Sequence, residues 1–194
     1  MRPFLTSART YYNANQTCQR PGLKQVLGSA ILGGYDRSRF VPNGLSFSFA
    51  PDISRDLVVG LQSIKSVDNN GRITSLLPSG ILTFVDSTIP YIWLPLEACS
   101  AFEKEFGLTW DSNNELYLVN DSLHNALAAR KLNFTFQLGN LATGGPNVNI
   151  TLPYASFALT ASPPLVSNTT KYFPLKRAAN NTQYTLGRAF LQEA

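Results

Sequence analysis

The feature that most constrains this chain is an acidic residue placed between two apolar runs. Asp86 follows Ile81–Val85 (ILTFV), and a second apolar run begins at Ile89 (IPYIWL). The pattern predicts an acid inside the core. A carboxylate in such a place must be hydrogen-bonded, paired or partly protonated, because desolvation disfavours its charged form. Structure or function must therefore account for Asp86.

Composition favours a strand-rich fold. The chain has 194 residues, of which 44% are hydrophobic and 14% are charged, and this suits one domain with a proper core. Twelve Pro and thirteen Gly supply many turns, and β-branched and aromatic residues suit a pleated, half-buried surface. We predict an all-β or β-dominated fold with one or two short helices.

The charge pattern argues against a nucleic-acid partner. The net charge of +4 comes from sixteen scattered basic residues. Only Arg130-Lys131 and Lys176-Arg177 are adjacent, so no basic stripe forms.

We also predict no membrane span, because no apolar run reaches the roughly 18 residues that a spanning helix needs. The N-terminal residues lack the apolar core of a signal peptide.

Glycosylation sequons, N-x-[ST], suggest a secretory glycoprotein. The alternative is that a surface rich in Asn, Ser and Thr produces sequons by chance. If the protein is secretory, the missing signal peptide implies a fragment. The candidate glycosylation sites are Asn15, Asn120, Asn133, Asn149, Asn168 and Asn180.

The two cysteines, Cys18 and Cys99, have neither a metal-binding spacing nor a redox CxxC spacing. A disulfide between them is one alternative, and separate partners in a longer parent are the other. The sequence leaves both unassigned.

Other reactive side chains give weak signals. His124 lies in a predicted short helix without a recognisable Ser or Cys partner, and we predict a solvated surface histidine. Asp111, Asn113 and Glu115 alternate but lack the rest of a calcium loop. Gly33-Gly34 belongs to no phosphate-binding motif. The sequence therefore predicts no metal and no cofactor.

Turn and capping residues predict one hairpin and two helices. Asn70-Gly71 separates Asp56–Val67 from Arg72–Leu77, as in a β-hairpin. Pro95 and Gly107 bracket a helix over Leu96–Phe106.

Asn120 or Asp121 caps a second short helix that carries Leu123 and Leu127. Asn43-Gly44 predicts another turn. Strands are predicted at Val26–Leu32, Leu132–Leu138, Val148–Leu152, Ser156–Thr160, Lys171–Leu175 and Gln183–Leu186.

Four segments carry a resemblance to a known family. GSAILGGYDRSRF (28–40), DLVVGLQSI (56–64), ILTFVDSTIPYIWLP (81–95) and YTLGRAFLQEA (184–194) follow one another along the chain. In that order they resemble the C-terminal lobe of pepsin-like aspartic peptidases, and most closely a secreted fungal branch with a D-S-T motif. The resemblance implies a lobe over residues 24–194 that lacks its last strand or strands. Residues 1–23 are then a leader.

The resemblance also implies a chemistry. Such enzymes are bilobal, and each lobe supplies one Asp; the two carboxylates share a proton and activate a water molecule to attack the peptide bond. Asp86 would be the second catalytic carboxylate, in an active-site loop with Ser87 and Thr88. Phe84 and Ile89 would line substrate pockets.

The same resemblance names partners and a location. Leu186-Gly187 would form an apolar-Gly pair packed beneath the active-site loop. The implied partners are a peptide or protein substrate and an N-terminal lobe that this chain lacks. No cofactor is implied, and the location is secreted or vacuolar.

Two residues depart from the family pattern. Thr88 stands where Gly is usual, and Ile89 stands where a Ser or Thr hydroxyl is usual. We expect these departures to remove hydrogen bonds that stabilise the ionised aspartate, each worth about 1–3 kcal/mol. They motivate an alternative, a non-catalytic pepsin-fold binding or inhibitor-like glycoprotein. A third alternative is a homodimer of single lobes in which two copies of Asp86 meet.

Overall fold

A computed structural model describes residues 41–49 and 56–194 of the chain. The chain divides into two units, Met1–Ser46 and Phe47–Ala194. In the first unit, the side-chain oxygen of Asn43 accepts a hydrogen bond from the N–H of Leu45 at 3.0 Å, as the turn signal predicts. The predicted leader (1–23), the strand at 26–32, Gly33-Gly34, Asn15 and Cys18 lie outside the described residues.

The second unit consists mainly of β-strands with three short helices, which confirms the predicted β-dominated class. Its strands are β1 (Val58–Val67), β2 (Ile73–Ser75), β3 (Ile81–Val85), β4 (Ile92–Leu94), β5 (Thr109–Asp111), β6 (Leu116–Val119), β7 (Asn133–Gly139), β8 (Asn147–Pro153), β9 (Leu159–Ala161), β10 (Thr170–Phe173), β11 (Leu175–Arg177) and β12 (Thr185–Leu186). Its helices are α1 (Leu96–Phe106), α2 (Asp121–Ala129) and α3 (Arg188–Leu191). In residues 41–49 and 56–194, no helix has the length and apolar character needed to cross a membrane.

The strands form two sheets. The larger has the order β11-β4-β12-β3-β1-β7-β8, with β2 paired to β1, and the smaller has the order β5-β6-β10-β9. The predicted hairpin is confirmed, because β1 and β2 pair antiparallel with Val67 opposite Ile73. The long strand β1 also pairs with β3 and β7 and so forms the centre of the larger sheet.

Both predicted helices are confirmed. Helix α1 follows Pro95 and ends at Gly107, which has a left-handed φ of 68° and donates its N–H to the carbonyl of Glu103 at 2.8 Å. Glycine tolerates that conformation without steric cost. The side-chain oxygen of Asn120 caps α2 by accepting the N–H of Leu123 at 2.8 Å.

Phenylalanine rings form the centre of the core between α1 and the sheets. Phe134 on β7 lies 4.5 Å from Phe157 and 6.0 Å from Phe102 of α1, measured between ring centroids. Phe173 lies 5.0 Å from Phe157. Aromatic pairs at these separations add about 0.5–1.5 kcal/mol each to the effect of burial.

Three predicted strands were wrong in their boundaries, and proline explains the first two. Residues 154–157 form a short 3₁₀ helix after Pro153, so the strand predicted at 156–160 is reduced to β9. The strand predicted at 171–175 is divided at Pro174 into β10 and β11, because proline has no N–H to donate to a ladder. The strand predicted at 183–186 shortens to β12 after a 3₁₀ turn, Asn181–Gln183.

Cys99 is a free thiol that lies fully buried on the inner face of α1. Burial raises its pKa to about 12. The pairing with Cys18 that the sequence left open is therefore not formed at Cys99, and this cysteine behaves as a small apolar core residue.

We expect Cys99 to resist alkylation in the folded protein, because little thiolate forms at about pH 8 and the sulfur is inaccessible. A Cys18→Ser chain, in which Cys99 is the remaining thiol, is treated with iodoacetamide and its intact mass is measured. The folded chain should keep its mass, and the same chain in concentrated guanidinium chloride should gain one label. Rapid labelling without denaturant would contradict this assignment.

Candidate active site

Asp86 lies in the loop between β3 and β4, and a third strand runs between those two. Strand β12 pairs parallel with β3, where Leu186 is opposite Val85, and antiparallel with β4, where Leu186 is opposite Ile92. The N–H of Asp86 donates to the carbonyl of Leu186 at 3.2 Å. Backbone pairing with β12 thus fixes the residue that carries the carboxylate.

The side chain of Asp86 is half-buried. The prediction of an acid inside the core was therefore wrong. The two apolar runs form strands β3 and β4, whereas Asp86 starts the loop between them, and Ser87 and Thr88 beside it are exposed. A run of apolar residues in sequence does not reveal where the chain leaves the sheet.

Thr88 supplies two hydrogen bonds to Asp86. Its backbone N–H donates to Asp86 Oδ1 at 2.8 Å, and its hydroxyl donates to the same oxygen at 2.7 Å. The expectation that a threonine at this position removes the N–H contact was wrong, because the N–H and the hydroxyl of Thr88 reach the same carboxylate oxygen together. Thr88 adds a hydroxyl bond to Oδ1, but it does not replace the bond to Oδ2 that a hydroxyl at residue 89 would make.

The carbonyl groups of the loop pack against the segment that follows β12. An added Cβ atom at Gly187 would lie 2.2 Å from the carbonyl oxygen of Tyr91 and 2.4 Å from that of Ile89. Beyond the glycine, the N–H of Arg188 donates to the Ile89 oxygen at 2.7 Å. Only glycine permits this close backbone approach, so Leu186-Gly187 lies directly against the loop.

The remaining predicted site residues lie along the same segment. Phe84 and Ile89 are half-buried on either side of Asp86, and the N–H of Phe84 donates to the carbonyl of Tyr184 at 2.9 Å. Ser87 is exposed, and its carbonyl oxygen lies 3.4 Å from a guanidinium nitrogen of Arg188. Their substrate-binding and loop-linking roles stay predictions.

The loop ends at Tyr91, which belongs to a stack of alternating aromatic and basic side chains. The Lys176 ammonium lies 4.9 Å from the ring centroid of Tyr91 and 5.7 Å from that of Trp110. The Arg177 guanidinium lies 4.8 Å from Trp110 and 5.7 Å from Tyr117. Cation–π contacts of this kind contribute about 0.5–2 kcal/mol each. The stack attaches the end of the loop to the hairpin of β5 and β6.

Carboxylates complete the stack at both ends. Glu103 accepts hydrogen bonds from Arg177 at 2.8 Å and from the Tyr117 hydroxyl at 2.5 Å. Burial, together with the bond to Glu103, raises the pKa of Tyr117. Burial lowers the pKa of Lys176, whose ammonium lies 3.5 Å from Glu115. Sequence reasoning missed this cluster, since its members come from separate segments with no shared motif.

His124 and Asp111 have local structural roles. His124 is half-buried, with Nδ1 3.1 Å from the Tyr154 hydroxyl, so the predicted solvated histidine was wrong. Asp111 accepts hydrogen bonds from the Asn114 side chain at 2.6 Å and from the Asn113 N–H at 2.9 Å. The Asn114 bond contributes most to a lowered pKa of Asp111. No group of three potential His, Cys, Asp or Glu metal ligands occurs within residues 41–49 and 56–194.

Comparison with known proteins identifies the fold. No protein-family model matches the chain, and no curated protein sequence matches it. A solved structure of an aspartic proteinase from Irpex lacteus is similar, with a TM-score of 0.53 and 16% sequence identity. The match covers 82% of this chain and 45% of the proteinase, so this chain spans less than half of that protein. The chain has the fold of one lobe of a pepsin-like protein.

We expect Gly187→Ala to destabilise the fold, because the added methyl group collides with two backbone carbonyls. Overpacking of this kind costs about 1–3 kcal/mol or more. Urea unfolding measures the loss, and Gly44→Ala is the matched control, since no heavy atom lies within 4 Å of an added Cβ there. Equal stability of the two variants would contradict the close approach at residue 187.

Proposed function

We propose that this chain is the C-terminal lobe of a secreted, pepsin-like aspartic endopeptidase and that Asp86 is its catalytic carboxylate. The observation that carries the proposal is the position of Asp86. It begins a loop between two strands of a pepsin-like lobe, and its N–H is bonded to the strand inserted between them.

The hydrogen bonds of Asp86 suit this role. Oδ1 accepts both donors of Thr88, which orient the carboxylate. Within the described part of the chain, Oδ2 has no hydrogen-bond donor, so it is available to a water molecule. The arrangement supports a role for Asp86 in orienting the attacking water.

Peptide hydrolysis requires a second carboxylate, which would come from an N-terminal lobe. Two carboxylates about 3 Å apart share one proton, and the pair then works in acid. The pair takes a proton from the water as the water oxygen attacks the peptide carbonyl carbon; the C–N bond then breaks, and the amine leaves with a proton from the pair. The single lobe by itself would be inactive.

The other residues of the loop would contribute to the assembled site. The exposed Ser87 would link this loop to the equivalent loop of the other lobe, and Phe84 and Ile89 would contact substrate side chains. Proteins of this kind act outside the cytoplasm, and the exposed sequons are compatible with a secreted or vacuolar location.

The non-catalytic alternative was motivated by Thr88 and Ile89. Thr88 supplies both an N–H and a hydroxyl to Asp86 Oδ1, so the N–H contact is kept, whereas the hydroxyl bond to the second carboxylate oxygen that Ile89 cannot make is still missing among the described residues. The retained N–H contact favours the peptidase over the binding protein.

We expect Asp86→Asn in the full-length parent to lower acid proteolysis by about 10²- to 10⁴-fold, the usual contribution of a positioned acid or base. Cleavage of a denatured protein substrate is measured with and without pepstatin. Asp121→Asn is the matched control, since the Asp121 side chain is 90% exposed on α2. A parent without pepstatin-sensitive cleavage, or an Asp86→Asn variant as active as the parent, would rule out the proposal.

We expect Thr88→Val to lower kcat by about 10- to 100-fold, because it removes the hydroxyl donor to Oδ1 and keeps the N–H donor. Thr88→Ser, which keeps the hydroxyl, should retain most activity. Equal activity of the valine and serine variants would show that the hydroxyl has no role in the reaction.

A further inference from the structure

Strand β8 forms one end of the larger sheet. It pairs with β7 in an unbroken register from Asn133 opposite Pro153 to Gly139 opposite Asn147. In the described part of the chain, no strand pairs with its other side. Among residues 41–49 and 56–194, the backbone N–H and C=O groups on that side therefore form an open edge.

The open edge lacks the usual protection. Residues 147–152 (NVNITL) contain no charged side chain and no bulge, and the proline of β8, Pro153, lies at its end; charges, prolines and bulges are the common means of preventing edge-to-edge pairing. Val148 and Ile150 are half-buried beside the core. Uncharged segments of this length and β-propensity associate readily through their backbones.

A sequon lies in the middle of this edge. Asn149 and Thr151 are exposed on the face opposite the core, and the Thr151 hydroxyl lies 2.9 Å from that of Thr135 on β7. We propose that Asn149 carries an N-linked oligosaccharide that prevents the open edge from pairing with another chain. The oligosaccharide would project into the space that an added strand must enter.

Attachment follows the ordinary chemistry of such sites. The Asn149 side-chain nitrogen loses a proton and bonds to the anomeric carbon of the oligosaccharide, and the diphosphate-linked lipid that carried the sugar is the leaving group. Steric exclusion by the sugar then replaces the charge that other edge strands use. The inference rests on the secretory location proposed above and is independent of catalysis by Asp86.

A second sequon on the same sheet supplies a matched comparison. Asn133 is also exposed, but it lies on β7, which is paired on both sides, with β1 and with β8. A sugar at Asn133 would begin one strand further from the edge, opposite Pro153 at the end of β8. The two sites therefore predict different effects on association.

The full chain is directed into the secretory pathway of a yeast by an added signal peptide. Peptide mass spectrometry measures occupancy at each sequon, and size-exclusion chromatography with light scattering measures association. We expect Asn149 to be occupied and the secreted chain to be monomeric. Asn149→Gln and Thr151→Ala, which both remove the sequon, should raise the associated fraction several-fold, whereas Asn133→Gln should leave it unchanged.

Asn149→Lys tests the mechanism, because a lysine protects an edge without a sugar. This variant should stay monomeric although it is not glycosylated. An empty Asn149 in the secreted chain, a monomeric Asn149→Gln variant, or association of Asn149→Lys equal to that of Asn149→Gln would each overturn the proposal. Circular dichroism confirms that the variants are folded, and pepstatin-sensitive cleavage by the parent tests the peptidase proposal separately.

Discussion

The insertion of β12 between β3 and β4 is the interaction on which the candidate site depends. Leu186 is fully buried in this strand, and its carbonyl accepts the N–H of Asp86. Backbone pairing on both sides of β12 holds the start and the end of the Asp86 loop at a fixed separation. Gly187 then allows the next residues to bond directly to the loop. The residue that carries the Asp86 carboxylate is therefore positioned by backbone contacts, which side-chain substitution alters little.

Thr88 shows how one residue can satisfy two requirements of a carboxylate. An N–H and a hydroxyl from the same residue reach Asp86 Oδ1 at 2.8 and 2.7 Å. Both donors reach that one oxygen, and neither uses the second carboxylate oxygen. The effect of a residue that departs from a family pattern therefore depends on which hydrogen-bond donors still reach the carboxylate. The residue type alone does not identify those donors.

The two ends of the larger sheet differ in how they are stabilised. Near β11, Lys176 and Arg177 are enclosed by aromatic rings and carboxylates, so the basic pair packs into the protein. At β8 the sheet ends in an uncharged strand whose backbone has one paired side among the described residues. The first end is stabilised by side-chain contacts, and we infer that a sugar protects the second.

The sequence by itself determined the local elements. Pro95 with Gly107 predicted α1, Asn120 predicted the start of α2, and Asn70-Gly71 predicted the hairpin, because caps and turns depend on residues adjacent in the chain. It also identified Asp86 as the residue to explain. Tertiary structure alone decided that Asp86 is half-buried, that β12 separates β3 from β4, and that Lys176 meets Tyr91. Those features depend on contacts between residues far apart in sequence, and local patterns carry no information about which distant strand becomes the neighbour.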